Sequence, residues 1–406
     1  MNLKDVFDAV AYKELRTVDL PARGSNQHEL NGTNALCDFF SAPKGVIGSG
    51  FRVEGVIQWF YFADNQDTQQ TQAPFTFYDA RAKTASKTGR TEWRLYYYGD
   101  FLSAAQPGDA LILARTAENT TLCLVFQQGS GWLRAAQTLF SINPANVTLQ
   151  IIPDAALDAQ TLNFAQTQIL QELGVEIMVS AAPTDEEIIL AKFGNRFPTT
   201  AEMSNFARTQ IQLDTNDCDA ALIGWLGREE ALFRALEAVG VRQQLAQGFR
   251  DVEHFISYSL SVQNRRKSRM GNAFQNHLAA LFDIQRLRYG AQKTTEGKNK
   301  PDFLFPGQFE YRNPNFPADR LAMLAAKSSC KERWSQVLPE ADRIPEKHLC
   351  TLEQGISTAE TEKMIRYHVR LVIPSPLHTT YTPSQRLALM SMNEFVEFIR
   401  SIQAAP

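Results

Sequence analysis

The spacing of apolar residues changes once along this chain, and that change limits the fold more than any single motif. Up to about residue 175 the apolar residues come in short runs such as "FRVEGVIQWFYF", "TEWRLYYYGDFL", "DALILARTA" and "TLCLVFQQG". They are rich in β-branched and aromatic residues and are separated by Gly, Asn, Asp and Pro, the pattern of strands joined by turns in a barrel or sandwich. Residues 160–174 read as a helix. Further on, "EEALFRALEAVGVRQQLAQG" repeats its apolar residues at three and four. Phe274, Leu278, Leu281, Phe282 and Leu287 then form one stripe over 270–288, as on an amphipathic helix. A turn-rich "KTTEGKNKPDFLFPG" follows, then a strand at 321–327, a basic-headed helix from about 330, and strand-like "KHLCTLEQG" and "HVRLVIP". This is α/β order, with chemistry expected at strand ends. The stretch between, from "SAAPTDEE" to "FGNRFPTT" over 180–200, is looser. The expected organisation is a mainly β domain at 1–178, a linker at 179–200 and an α/β domain at 201–406.

A chain of 406 residues has room for these two domains. It has no apolar run long enough to span a membrane, and residues 1–20 carry charges throughout, unlike a secretory signal. The five cysteines are odd in number and none are paired at zinc-like spacing, so a reduced, cytoplasmic protein is expected. A net charge of −3 argues against a general coat on nucleic acid but leaves room for a local basic cleft. The cations are indeed uneven. They cluster at 264–269, at Arg286, Arg288, Lys293, Lys298 and Lys300, and at Lys327, Lys331 and Arg333. No Gly-rich loop followed by Lys-Ser/Thr is present, which disfavours P-loop phosphate transfer.

The sharpest local feature is "AAKSSCKERW", residues 325–334, where an apolar strand ends in Lys327. A lysine is costly to bury without a partner. Asp302 precedes Phe303-Leu304-Phe305, and adjacent strands would bring its carboxylate and Lys327 to one point. Taken alone, Asp302 reads equally as a turn cap. Together the pair suits phosphodiester hydrolysis. A carboxylate is a hard ligand for Mg2+, and a lysine holds a phosphate oxygen or orients a water. The position two before the lysine, Ala325, can ligate nothing. Glu340, thirteen residues after Lys327 and preceded by Pro339, is either a second ligand returned to the cleft or a solvated residue near Arg343.

"SVQNRRKSRMGNAFQNHL", "TTEGKNKPDFLFP" and "AAKSSCKERW" together resemble the EcoRII family of type II (type IIE) restriction endonucleases, over about 245–395. The resemblance implies a PD-(D/E)xK nuclease fold in the branch where a glutamate from the following helix replaces the acid before the lysine. Asp302, Lys327 and Glu340 then match the catalytic roles, with Asp302 and Glu340 as Mg2+ ligands. Gln275 stands where family members tend to carry a glutamate. It brings a carbonyl oxygen without charge, which puts a second metal site in doubt. Lys331, Glu332 and Arg333 match the family's base-reading tripeptide. Lys and Arg donate to guanine O6 and N7, and Glu accepts from cytosine N4, which fits a CC/GG-containing near-palindrome. Arg265, Arg266, Lys267 and Arg269 are expected to clamp phosphates, and Arg228 to match an arginine of the nucleotide-flipping pocket. Trp334 reads as a core anchor.

Over the first domain the resemblance is weaker. It implies a DNA-binding effector pseudobarrel holding a second copy of the site. Arg23, Asn26, Gln27 and His28 in "RGSNQHELNG" are candidates for one base-reading arm, and Arg81, Lys83, Lys87, Arg90 and Arg94 for another surface on DNA. The same residues also read as ordinary polar loop positions. The expected partners are double-stranded DNA, a second copy of the chain in a homodimer and, within the same system, a cognate DNA methyltransferase. Two other functions are open. One is a DNA-binding protein that keeps the nuclease fold but has lost cleavage, as Gln275 would favour. The other is a nuclease for structured or single-stranded nucleic acid, which would not need the 331–333 reader.

Overall fold

The computed structural model describes residues 2–404 apart from 22–27, 32, 45, 47–49, 65, 83–90, 100, 143–147, 160, 161, 163, 174–182, 298 and 330–333. The chain divides into two compact units, one of residues 1–162 and 166–177, the other of 163–165 and 178–406.

The first unit is built on β1 (Phe7–Glu14), β2 (Glu29–Asn31), β3 (Arg52–Phe62), β4 (Gln69–Asp79), β5 (Trp93–Tyr97), β6 (Ala110–Thr116), β7 (Thr121–Phe126) and β8 (Gln150–Ile151). They form one curled half-barrel in the order β2-β5-β4-β3-β7-β6-β1-β8. Among the described residues only β3 and β7 pair in parallel. The central strands bury both faces, because "TLCLVF" lies wholly inside. One face carries helix α1 (Gly131–Phe140), where Trp132 meets Phe62 at 5.2 Å and Phe140 meets Phe7 at 5.5 Å between ring centroids. The other face holds a separate aromatic cluster in which Phe77 stacks on Trp93 at 5.4 Å and on Phe40 at 4.7 Å.

The second unit opens with α2 (Pro183–Phe193) and α3 (Thr200–Thr209). Part of the expected linker is therefore helical. Ile189 is fully buried beside Leu232, Phe233 and Leu236, and this burial holds α2 against the long α4 (Cys218–Gln247). Asp185 and Glu186 lie in the first turn of α2, where carboxylates suit the helix dipole. Helix α5 runs from Val252 to Ile284. Its second half carries the expected stripe into a core with β9 (Gly290–Ala291), β10 (Phe303–Phe305), β11 (Ala322–Lys327), β12 (Lys347–Thr351) and β13 (Val369–Val372). These strands form a mixed sheet in the order β13-β12-β11-β10-β9. β10 runs antiparallel to β11, whereas β11, β12 and β13 are parallel. Helices α6 (Thr358–Arg366) and α7 (Met392–Ala404) follow.

The helix expected from about 330 differs from the structure. Beyond residues 330–333, which lie outside the described set, there is only a 3-10 turn at Trp334–Val337. Pro339 and the left-handed Ala341 (φ 52°) leave no room to propagate it. Trp334 is buried and donates to Glu360 at 2.9 Å.

Candidate active site

Antiparallel pairing of β10 with β11 sets Phe303 opposite Leu324. The residue just before β10 therefore meets the residues just before the end of β11, as the spacing of Asp302 and Lys327 requires. Asp302 is 6 % exposed, and both its oxygens are engaged. Oδ2 accepts from the Ala326 backbone N–H at 2.7 Å and lies 3.5 Å from Lys327 Nζ. Oδ1 accepts from the side-chain amides of Gln275 at 2.9 Å and Gln292 at 2.5 Å. The carboxylate is thus oriented by donors on three elements. Ala325 is fully buried in β11, so no acid there could share the cleft.

Glu340 enters the same field from a turn, not from a helix as expected. Burial first, and then the Asp302 charge, push its carboxyl up to about 7, against the opposing pull of Lys327 and Lys347. Its Oε2 is buried without a hydrogen-bond partner among the described residues. The alternative is a solvated residue near Arg343, but Glu340 Oε2 is buried and the Arg343 guanidinium is engaged elsewhere. That guanidinium donates instead to the carbonyls of Asn313 at 2.9 Å and Phe316 at 2.7 Å, and to that of Tyr311. An orphaned buried carboxylate oxygen beside a lysine–aspartate pair is a costly arrangement that a cation would relieve. Asp302 and Glu340 supply hard oxygens and Gln275 a possible carbonyl. A magnesium ion takes one or two carboxylates and keeps several waters, so this donor set fits. Among the described residues no group of three or more His, Cys, Asp and Glu stands together as a closed metal cluster.

Two residues near the site carried no signal in the sequence. Gln292 sits in the left-handed region (φ 53°), and its backbone N–H donates to Asp302 O at 3.0 Å while its amide holds Oδ1. Lys347, 6 % exposed, donates from Nζ to the carbonyls of Ala341 and Ile344, each at 2.6 Å, and so secures the turn after Glu340. Lysine at a strand start gives no hint of such a role without the fold.

The expected DNA-contacting residues fare unevenly. Lys331, Glu332 and Arg333 lie outside the described residues, as do Arg23, Asn26, Gln27, Lys83, Lys87 and Arg90. Lys267 lies on α5. Arg269 is corrected from the expected phosphate clamp. It is 6 % exposed, lies over the Phe233 ring at 4.3 Å and pairs with Glu229 at 3.2 Å and with Glu230. Arg266 pairs with buried Glu237 at 2.6 Å, and Arg265 lies 4.0 Å over the Phe197 ring. All three sit on the α5 face turned to α4 and the turn before α3, where acids of α4 and a ring attract them. Arg228 pairs with Asp185 of α2 at 2.7 Å, which engages its guanidinium within the unit. In the first unit Arg94 pairs with Glu29 at 2.5 Å and with Glu92, to which Arg81 also donates. His28 packs edge-on to Tyr97, whose N–H donates to the His28 carbonyl at 2.9 Å. Four cysteines, Cys37, Cys123, Cys218 and Cys350, are buried and unbridged, and no helix of the described residues is long and apolar enough to cross a membrane.

The mixed α/β unit thus brings an acid–lysine pair and a second, largely buried carboxylate together beside the ends of β10 and β11. The comparisons narrow this. Residues 233–396 match the family profile described as EcoRII C terminal. The chain is 37 % identical to the type II restriction enzyme EcoRII of Escherichia coli over 257 residues, 63 % of this chain and 61 % of that relative. The match thus spans less than two thirds of the relative's length. By this sequence similarity the chain is homologous to the EcoRII family of type II restriction endonucleases. Two solved structures are more distantly similar. Metal-depleted Ecl18kI in complex with uncleaved, modified DNA is 18 % identical with a TM-score of 0.45, over 54 % of this chain and 83 % of that one. The PspGI–substrate DNA complex is 15 % identical with a TM-score of 0.43, over 51 % and 93 %.

Proposed function

We propose that this protein is a magnesium-dependent type II restriction endonuclease that cuts double-stranded DNA at a short CC/GG-containing near-palindrome. The observation that carries the reading is the buried, unpartnered Glu340 Oε2 beside the Asp302–Lys327 pair. The homology to EcoRII, itself a type II restriction enzyme, supports it. On this reading the second unit is a PD-(D/E)xK domain whose second acid comes from the turn after Trp334. Asp302 and Glu340 hold the cation. When bound, it supplies Lewis-acid stabilisation of the phosphate and acidifies a water. Lys327 holds a phosphate oxygen or orients the attacking water. Asp302 is held in place at the strand ends by its four donors. Digesting a fully sequenced, unmethylated DNA with Mg2+ and mapping both cut ends tests the proposal. Discrete ends at one sequence support it. Tight, specific binding without cutting would instead favour a DNA-binding protein that has lost cleavage, the reading to which the uncharged Gln275 belongs.

Base reading falls to Lys331, Glu332 and Arg333. Arg333→Ala should lose discrimination at one G·C pair by about 1 to 3 kcal/mol. Lys267→Ala, if that residue clamps a phosphate, should weaken all sequences alike. Competition with single-base-substituted duplexes separates the two, and an unchanged specificity ratio for the Arg333 variant would remove it from the reader.

The half-barrel unit is proposed as an effector that binds a second DNA site and restrains the nuclease until it does, a coupling free energy that is reciprocal in binding. A fragment that keeps α2, and so begins before Pro183, should cut one-site circles at least as fast as the whole protein. The whole protein should prefer two-site circles. If it treats both alike and a folded fragment is no faster, restraint by the first unit is wrong.

A further inference from the structure

Glu340 lies between the 3-10 turn at Trp334–Val337 and β12, outside any helix or strand. No helical ladder of hydrogen bonds therefore fixes its backbone. A ligand carboxylate works only when groups around it fix its direction. Here the two peptide groups that flank Glu340 are held from outside the turn. The Pro339 carbonyl, in the peptide group before it, accepts from the Asn299 side-chain amide at 2.6 Å. The peptide group after it is held at both ends. Its oxygen, on Ala341, accepts from Lys347 at 2.6 Å, and its N–H, on Asp342, donates to Glu296 Oε2 at 3.2 Å.

Asn299 and Glu296 belong to one loop, and that loop is closed on itself. The Thr295 N–H donates to the Asn299 carbonyl at 3.0 Å, and the Asn299 N–H to the Glu296 carbonyl at 2.9 Å. Burial pushes the Glu296 carboxyl up, yet its hydrogen bonds, led by those from the Tyr311 hydroxyl and the Asp342 N–H, leave it below its ordinary value. It therefore meets the turn as a charged acceptor, which binds an N–H more strongly than a neutral one. Three residues past Asn299 the same loop enters the sheet at Asp302. One short loop thus ends in the first carboxylate of the site and grips the turn that carries the second.

We propose that Asn299 and Glu296 are positioning residues for Glu340, holding the peptide groups on either side of it so that one loop sets its carboxylate and that of Asp302 as a pair. The inference rests on the reading of these two carboxylates as cation ligands. Mn2+ titrated into the whole protein and followed by electron paramagnetic resonance, with Glu340→Ala as the reference, isolates the uptake that depends on Glu340. Asn299→Leu and Glu296→Ala should weaken that uptake by roughly ten- to hundredfold and raise in step the Mg2+ needed for half-maximal cutting. Saturating Mg2+ should return their cutting rate close to the parental one. Glu296→Gln, which keeps an acceptor for the Asp342 N–H, should recover most of the Mn2+ affinity. Unshifted Mn2+ affinity in both loss variants, beside Glu340-dependent uptake in the parent, would overturn the inference and leave the cation reading standing. A cutting defect that saturating Mg2+ does not relieve would also overturn it, since a site that is only held less firmly fills by mass action. A parent protein that takes up no more Mn2+ than Glu340→Ala would remove the cation reading, and the inference with it.

Discussion

Lys327→Ala should cut target DNA at least about a thousandfold more slowly than the parent protein while binding it as tightly, since a lost stabiliser of transition-state charge costs on that order. Its Nζ sits 3.5 Å from Asp302 at the end of β11. Asp302→Ala and Glu340→Ala should lose cleavage to a similar degree, because on the proposed reading each removes an oxygen ligand and leaves Mg2+ one carboxylate. The variants differ in what else they disturb. Asp302 gathers donors from Gln275, Gln292 and Ala326, so its removal also loosens the strand end. Glu340 Oε2 has no described partner to lose, and Glu340→Gln should therefore leave the fold at least as stable. Cleavage rates in Mg2+, set beside duplex binding in Ca2+, make the measurement. Near-parental cutting by the Lys327 or Asp302 variant would remove the acid–lysine pair from the chemistry.

Glu229→Ala should destabilise the second unit by about 3 to 5 kcal/mol, the usual cost of breaking a buried ion pair from one side. Glu229 is fully buried on α4 and accepts from Arg269 at 3.2 Å and from His277 Nε2 at 2.8 Å, while His277 Nδ1 faces the Arg208 guanidinium at 3.0 Å. The imidazole is therefore neutral, donating to Glu229 and accepting from Arg208. Burial lowers the His277 pKa below its ordinary 6.5, against the pull of Glu229. For Glu229, burial acts upward, yet the hydrogen bond from His277, the Arg269 charge and a hydrogen bond from Ser204 outweigh it and leave the carboxyl below its ordinary value. The signs agree. Below about 6.5 the unfolded chain takes up a proton on His277 that the folded chain refuses, so stability present at neutral pH falls as pH drops through that value. The Glu229 contribution is lost later, as pH falls through its depressed folded value. Urea unfolding at several pH values should show the first loss, and His277→Gln, which can still donate to Glu229 and accept from Arg208, should flatten it. A pH-independent midpoint in the parent protein would mean that His277 does not titrate on unfolding.

Much of this architecture was legible in one dimension. β-branched and aromatic runs marked β3, β5, β6 and β7, because strands packed on one or both faces favour such residues whatever lies beside them. The three-and-four repeat marked the buried half of α5, and the apolar run ending in Lys327 marked β11. Asp302 and Lys327 could be paired because both sit at strand ends, where side chains cannot all be apolar. The acidic start of α2 read as loose, since a burial as narrow as that of Ile189 leaves almost no periodic signal. Tertiary structure alone decided the fate of the cations. Runs of arginine look alike in sequence, yet Arg269 is drawn inward by Glu229 and Glu230, Arg266 by Glu237 and Arg228 by Asp185. These acids come from other helices, and only helix packing sets them within ion-pairing distance. The same holds for Gln292 and Lys347, whose roles rest on hydrogen bonds to a carboxylate and to a turn that the chain brings near only when the sheet is closed. Local sequence dictates which segments are strands or helices because propensity and burial period act over a few residues. Which charges face water and which face one another depends on distances between segments, and those exist only in the folded chain.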